Sequence, residues 1–350
     1  MNTKTYTATA RELLKNKFQF LTLGAPGLGK TKIIEQLAEE LDYDLIIMHP
    51  VVFDPTDLKG VPAIVRGVED GEGGYTETRA EFLPTAQLRK LLDADKPTIC
   101  FLDDIGQASK GVHAALMQLI MQREINGHRI SDHVVFTAAS NRKKDKAGVT
   151  GMITPLISRF KTRLKIEADV NSWTEWAYEN EIAPEVISFV NWKPDMLHSF
   201  DPNYQDADGE TMSNQPSPRT IEAVSDLFKV GLKSHEVLEG AVGEAFATEF
   251  LSFVEMIETL GSIPRKIATG GSVTLDDLES SSPSILFALT QCLTQMTEKH
   301  FVNIAKWVHR ELPTEYQAKY ITDCEKRFPE CTEQEGYTDL AIVANGLVNG

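Results

Sequence analysis

An α/β fold, with a parallel sheet of five strands covered by helices and a helical region after it, is what this sequence predicts. Three observations predict it. The segment Gly24-Ala25-Pro26-Gly27-Leu28-Gly29-Lys30-Thr31 joins an apolar run, Phe18 to Leu23, to a stretch with helical spacing. Asp44 to Met48 (DLIIM) is apolar without alternation, as suits a strand covered on both faces of a parallel sheet. Beyond Ala168 the strand signal fades and helical periodicity dominates.

The Gly24 to Thr31 segment fits G-x-x-x-x-G-K-[ST] at every fixed position. Glycines at 24, 27 and 29 let successive backbone N–H groups converge, and the helix that follows adds its dipole and unpaired donors. Gly24, Pro26, Gly27, Leu28, Gly29, Lys30 and Thr31 are therefore expected to cradle nucleotide phosphates. Lys30 would reach the β- and γ-phosphates, and the Thr31 hydroxyl would ligate Mg²⁺. Ile33, Ile34, Leu37, Ala38 and Leu41 share the buried side of the helix that begins at Lys30.

A chain of 350 residues is long enough for two or three domains. Its formal net charge of −16 argues against a general nucleic-acid binder, which depends on Lys and Arg at phosphates. Cys100, Cys292, Cys324 and Cys331 form no C-x-x-C pair, which points to reduced thiols in a cytoplasmic protein. No apolar signal core begins the sequence, and no run approaches the ~18 apolar residues of a membrane span.

In chain order, Thr7 to Lys15 reads as an amphipathic helix, with Ala10, Leu13 and Leu14 inward. Val51 to Pro84 is rich in Gly, Asp and Pro, and reads as an insertion. It would carry a hairpin, Ala63 to Val68 against Tyr75 to Phe82, turning at Asp70 to Gly74; a disordered surface loop is the alternative. Ala86 to Asp95 is a helix, and the strand Thr98 to Leu102 delivers Asp103-Asp104 at its end. Downstream of a phosphate loop, Asp103 is expected to hold Mg²⁺ and Asp104 to orient the attacking water. Ser109 to Glu124 is helical, and Ile125 to Ile130 forms a hairpin on its Asn126-Gly127 turn. Strand Val134 to Ala138 leads to Ser140-Asn141, then to the basic run Arg142 to Lys146, and Thr162 to Ile166 is the fifth strand. Helices are expected over Ser172 to Asn180, Ala183 to Val190, Pro218 to Phe228, His235 to Leu260, Pro283 to Arg310 and Pro313 to Arg327. Asp201 to Gln215 reads as a polar loop and Gly261 to Ser282 as a boundary rich in linker residues. The last residues have no clear period.

This order of phosphate loop, acid-ended strand, hairpin and polar-ended strand resembles the AAA+ ATPases, specifically the MoxR-like branch. That branch carries an insertion at the second helix, which 51–84 resembles, and a hairpin before sensor 1, which 125–130 resembles. Pro155-Leu156-Ile157-Ser158-Arg159-Phe160 resembles its arginine-finger segment, and Ser217-Pro218-Arg219-Thr220 its sensor 2. The resemblance implies an AAA+ core over 1–168, an α-helical lid over 169–260 and a helical C-terminal extension over 261–350. It implies ATP and Mg²⁺ as ligands, with Asn141 as sensor 1. Arg159 would reach the γ-phosphate of a neighbouring subunit, and Arg219 would report on the phosphate from the lid. For each arginine, a surface salt bridge is the alternative.

Where the family usually has a catalytic Glu, this sequence has Asp104, shorter by one methylene. Hydrolysis with a shifted backbone, slow hydrolysis and a nucleotide-gated switch are the resulting readings. An arginine acting in trans implies a homo-oligomeric ring, a hexamer. MoxR-like proteins act as chaperone-like ATPases on protein partners, among them von Willebrand factor A domain proteins. A nucleic-acid motor or loader, using Arg142 to Lys146, His128 and Arg129, is a second reading. A nucleotide-dependent scaffold is the third.

Overall fold

The computed structural model describes residues 1–66, 78–145, 151–201, 203–204, 214–278 and 280–348. The chain divides into two compact units, one of Met1–Ala168 with Phe200–Tyr204, the other of Asp169–Ser199 with Gln205–Gly350.

In the first unit, α1 (Thr3–Lys15) precedes β1 (Phe20–Leu23), α2 (Lys30–Leu41) and β2 (Asp44–Met48). An antiparallel hairpin, β3 (Val61–Arg66) with β4 (Thr78–Leu83), leads to α3 (Ala86–Leu92) and β5 (Thr98–Leu102). Then come α4 (Lys110–Gln122), the short pair β6 (Glu124–Ile125) and β7 (His128–Arg129), β8 (Val134–Ser140), α5 (Thr154–Ile157) and β9 (Thr162–Lys165). The five-stranded sheet has the order β2-β5-β8-β1-β9, and every neighbouring pair is parallel.

The apolar strands are explained by burial on both faces. Phe20, Ile99, Phe101 and Val135 enter a cluster with Tyr6, Ile34 and Leu37 of α1 and α2. Their alternates Leu21, Cys100, Leu102 and Phe136 enter the opposite cluster with Val112 and Leu116 of α4. Successive strand residues point to opposite faces, so two covered faces need an apolar residue at nearly every position. A parallel strand also cannot follow its neighbour through a tight turn, so the crossovers place helices over the sheet.

Phe18, expected at the start of β1, lies outside it and is 45% exposed. The insertion hairpin is present, with strands shifted to Val61–Arg66 and Thr78–Leu83; its expected turn, Asp70 to Gly74, lies outside the described residues. The second hairpin turns at Asn126-Gly127, where both residues have positive φ, 46° and 87°. That is the twist a two-residue hairpin loop needs. The hairpins are joined: Asn126 Nδ2 donates to the Lys59 carbonyl, and His128 Nε2 lies 3.6 Å from Glu81 Oε1.

The second unit is helical. It comprises α6 (Val170–Glu179), α7 (Pro184–Trp192), α8 (Pro218–Lys229), α9 (His235–Val242), α10 (Glu244–Thr259), α11 (Ile263–Ala268), α12 (Pro283–Gln295), α13 (Thr297–Glu311), α14 (Thr314–Arg327) and α15 (Tyr337–Val348). Of the polar loop expected over Asp201 to Gln215, most residues lie outside those described.

Four expectations change here. The helix expected over His235 to Leu260 breaks at Gly243, whose φ of +91° no ordinary helix residue adopts. A Cβ there would also meet the Asn214 carbonyl at 2.7 Å. The helix expected over Pro283 to Arg310 is divided at Met296. Gly261 to Ser282 is no bare linker: it contains α11, buries Ile267 and Val273, and the Trp307 indole holds the Val273 carbonyl at 2.7 Å. The final residues form α15, whose Leu340 is fully buried. Residues of the expected lid and extension share one core, from Trp173 through Phe250 to Leu340. At its centre the Phe189 ring meets Phe246, Phe250 and Phe253 with centroids 4.9, 5.5 and 5.8 Å away.

No helix among the described residues is long and apolar enough to cross a membrane.

Candidate functional site

Three strand ends converge in the first unit: β1 runs into the Gly24 loop, β5 into Asp103-Asp104, and β8 into Asn141. Their order in the sheet, β5-β8-β1, places these three loops side by side at one edge. The sheet extends into the site through backbone bonds from Gly24 N to Ser140 O (3.3 Å) and from Asp103 N to Met48 O (2.8 Å).

Gly27 and Gly29 have φ of +77° and +75°, and Gly29 is the N-cap of α2. These left-handed positions reverse the chain from strand to helix at little steric cost, which accounts for glycine at both. Gly24 is needed for a different reason, since a Cβ there would come within 2.5 Å of Ile166 Cγ2. Leu28 anchors the loop in the core beside Ile34, while Pro26 is half-buried.

Lys30 is the first residue of α2 and is buried. Its Nζ donates to the carbonyls of Gly24 (3.3 Å) and Ala25 (2.9 Å) and to Asn141 Oδ1 (2.8 Å). The other end of the Asn141 amide, Nδ2, lies 3.4 Å from Asp104 Oδ1. Thr31 Oγ1 donates to Asp103 Oδ2 at 2.7 Å, and Asp103 Oδ1 accepts from the Asp104 amide at 3.0 Å. Thr31, Asp103, Asp104, Asn141 and Lys30 are thus joined in one chain of contacts.

Asp104 has φ +50° and ψ 34°. A left-handed residue other than glycine costs about 1 kcal/mol, less for Asp and Asn than for most, and such positions gather at functional sites. The conformation begins a short 3₁₀ turn, Ile105–Gln107. His113 of α4 holds that turn: its Nε2 is 2.7 Å from the Ile105 carbonyl, and the ring is wholly buried. To donate to a carbonyl, Nε2 must carry a proton, and Nδ1 has no partner among the described residues. Sequence reasoning missed His113, since one histidine in an apolar helix carries no spacing signal. It also missed Tyr6, fully buried on α1, whose hydroxyl bonds Thr22 Oγ1 of β1 at 2.7 Å. Burial pushes the Tyr6 phenol up to about 12, against a smaller opposing effect of that bond.

Of the expected basic groups, Arg142 is tied to Asp145 at 2.9 Å and Arg129 to Asp132 at 3.1 Å. Lys146 lies outside the described residues. Arg159 follows α5 between Leu156 and Phe160, both buried, so the packing turns its side chain outward. Its guanidinium has no hydrogen bond or ion pair among the described residues. Arg219 belongs to the second unit, exposed in the first turn of α8. There the S-P-R-T segment is a capping box: Ser217 Oγ accepts from Thr220 N at 3.3 Å, and Thr220 Oγ1 accepts from Ser217 N at 2.8 Å.

For Mg²⁺, the donor set fits. Thr31 and Asp103 offer a hydroxyl and a carboxylate in contact, the hard oxygen ligands that Mg²⁺ combines with phosphate oxygens and water.

Residues 20–168 match the model of a family described as "ATPase family associated with various cellular activities (AAA)". Comparison with the curated proteins gives no match. Among solved structures, a variant of RuvB from Thermotoga maritima is similar at a TM-score of 0.40 and 17% identity, over 79% of each chain. NtrX from Brucella abortus in complex with ADP is similar at a TM-score of 0.40 and 12% identity, covering 99% of this chain and 68% of that one. Both likenesses are distant. The family match falls on the unit whose five-stranded parallel sheet carries the phosphate-type loop, and the fold of that unit is that of an AAA+ P-loop core.

Proposed function

We propose that this protein binds and hydrolyses ATP in a ring of its own copies and uses the cycle to remodel or activate a protein partner, in the manner of MoxR-type chaperones. The observation that carries the reading is the convergence of Lys30, Thr31, Asp103, Asp104 and Asn141 at one sheet edge. The Gly24 loop would wrap the phosphates, with Lys30 turning from the Gly24 and Ala25 carbonyls to phosphate oxygens. Thr31 and Asp103 would hold Mg²⁺, which neutralises phosphate charge. Asp104 orients the attacking water, and Asn141 holds Asp104 and Lys30 in register. Arg159, turned outward and unpaired among the described residues, is suited to act on a neighbour's nucleotide.

The joined hairpins favour a protein partner. They display Val61, Ile64, Phe82 and Leu83, each at least 42% exposed; Val61 lies directly opposite Leu83 across the strands, and apolar side chains grouped at a surface mark protein contacts. A von Willebrand factor A domain protein is the partner class that goes with this reading. The nucleic-acid motor is less favoured because His128, Arg129 and Arg142 already face Glu81, Asp132 and Asp145.

The test is phosphate release with ATP and Mg²⁺, alongside the mass of the assembly. Turnover that disappears in Lys30→Ala and Arg159→Ala, in an ATP-dependent ring, supports the proposal. A ring that assembles without turnover makes the protein a nucleotide-gated scaffold. Turnover stimulated by DNA or RNA, and lost steeply with salt, makes it a nucleic-acid motor.

A further inference from the structure

The second unit holds a cleft of about 440 Å³ lined by Glu175, Tyr178 and Glu179 of α6 and by Glu325, Lys326 and Arg327 of α14. Clefts of this size accommodate small ligands. Two lining residues are engaged elsewhere: Lys326 donates to Asn171 Oδ1 at 2.8 Å, and Glu325 accepts from the Tyr337 hydroxyl at 2.7 Å. Arg327 is not. Its guanidinium stacks over the Tyr178 ring, 5.3 Å from the centroid. It has neither hydrogen bond nor ion pair among the described residues, although three glutamates share the cleft.

Two buried polar atoms here have no partner among the described residues, Arg327 Nε and Tyr178 Oη. Leaving such groups unsatisfied typically costs about 1–3 kcal/mol each, more when charged. Glu179, exposed at the end of α6, also has no hydrogen bond or ion pair among the described residues. The walls of the cleft therefore hold a cation, a buried hydroxyl and an anion, none of them hydrogen-bonded to another among the described residues. The polar seam continues inward. Gln291 Nε2 donates to Asp323 Oδ2 at 2.7 Å, and Lys319 lies over the Phe287 ring, so α12 and α14 run in parallel step. Gln295 follows Gln291 by four residues on α12, as Arg327 follows Asp323 on α14, and both amide atoms of Gln295 are buried without partners among the described residues.

We propose that this cleft binds a small zwitterion of the amino-acid class, its carboxylate held by Arg327 and the Tyr178 hydroxyl and its ammonium turned to Glu179. A guanidinium and a hydroxyl together match the lone pairs of one carboxylate. The glutamates oppose a polyanion such as phosphate and favour a ligand that brings its own positive charge. Burial, and secondarily the charge of Asp323, pushes the Tyr178 phenol above its usual range, so it remains a donor at neutral pH.

Calorimetric titration of the full chain tests this, independently of any ATP turnover. The probes are glycine, β-alanine and γ-aminobutyrate as zwitterions of increasing charge separation, with acetate, ethylamine and inorganic phosphate as single-charge controls. At least one zwitterion is expected to bind with a Kd below about 10 mM, at least tenfold tighter than every control. Arg327→Gln and Tyr178→Phe are each expected to weaken it about tenfold or more, and Glu179→Gln to shrink its advantage over acetate. Tyr178→Phe removes only a hydroxyl and keeps the test valid should Arg327→Gln fail to fold. No saturable zwitterion binding, controls that bind as tightly, or affinity unmoved by Tyr178→Phe would overturn the proposal.

Discussion

Lys30 and Asn141, 111 positions apart in the chain, meet at 2.8 Å between Nζ and Oδ1, and the same amide reaches Asp104 through Nδ2. One side chain thus touches both the group expected to bind phosphate and the group expected to direct water. Replacing Asn141 with Ala removes both contacts and leaves Lys30 its bonds to Gly24 and Ala25. Turnover is expected to fall about a hundredfold, since one preorganised donor at a reacting centre contributes on that scale. The nucleotide Kd should change by no more than about threefold, or under 1 kcal/mol. Steady-state kinetics beside equilibrium titration of a fluorescent ATP analogue reads the two separately. Equal losses in both would assign Asn141 to binding alone.

Asp104→Asn keeps the size of the side chain and its tolerance of the left-handed backbone, and removes only the charge. Phosphate release is expected to drop at least about a hundredfold, as follows from losing a general base. ATP binding and assembly mass should be retained. Unchanged turnover would take Asp104 out of the mechanism.

His113→Phe preserves much of the volume but leaves the Ile105 carbonyl buried without its donor. The expected loss is about 1–3 kcal/mol, the cost of an unsatisfied buried acceptor. Because the turn it holds follows Asp104 directly, kcat should fall with little change in KM. A lower thermal midpoint with unaltered kcat would confine His113 to packing.

Tyr6 contributes an alkaline limit to stability. Unfolded, its phenol ionises near the ordinary value of 10.0, whereas in the folded chain burial raises it to about 12. The protonated form is therefore the one favoured by folding. This contribution is fully present below pH 10 and is lost as pH rises toward 12, by roughly 2–3 kcal/mol. Denaturant midpoints for the wild type should decline over that interval, and Tyr6→Phe should decline less. Parallel curves would show that other groups set the alkaline limit.

The phosphate-type loop, the apolar strands and the Asn126-Gly127 hairpin could be read from the sequence because each depends on neighbours in the chain. Gly27 and Gly29 answer a local demand for positive φ, and DLIIM or TICFL is apolar because parallel strands are covered on both sides. Strand ends that lie close in the sheet likewise bring Lys30, Thr31, Asp103, Asp104 and Asn141 together once the strand order is set.

Helix breaks were less legible: Gly243 interrupts an apolar rhythm that continues across it, and Met296 gives no warning at all. The tertiary structure alone decided the bond between His113 and Ile105, the joining of the two hairpins through Asn126 and Glu81, and the single core beneath Gly261 to Ser282. It also decided that Arg327 is left facing a cleft. The physical reason is common to all of these. Backbone conformation and strand burial are set by residues within a few positions, whereas partner choice among polar side chains depends on which distant elements pack in register.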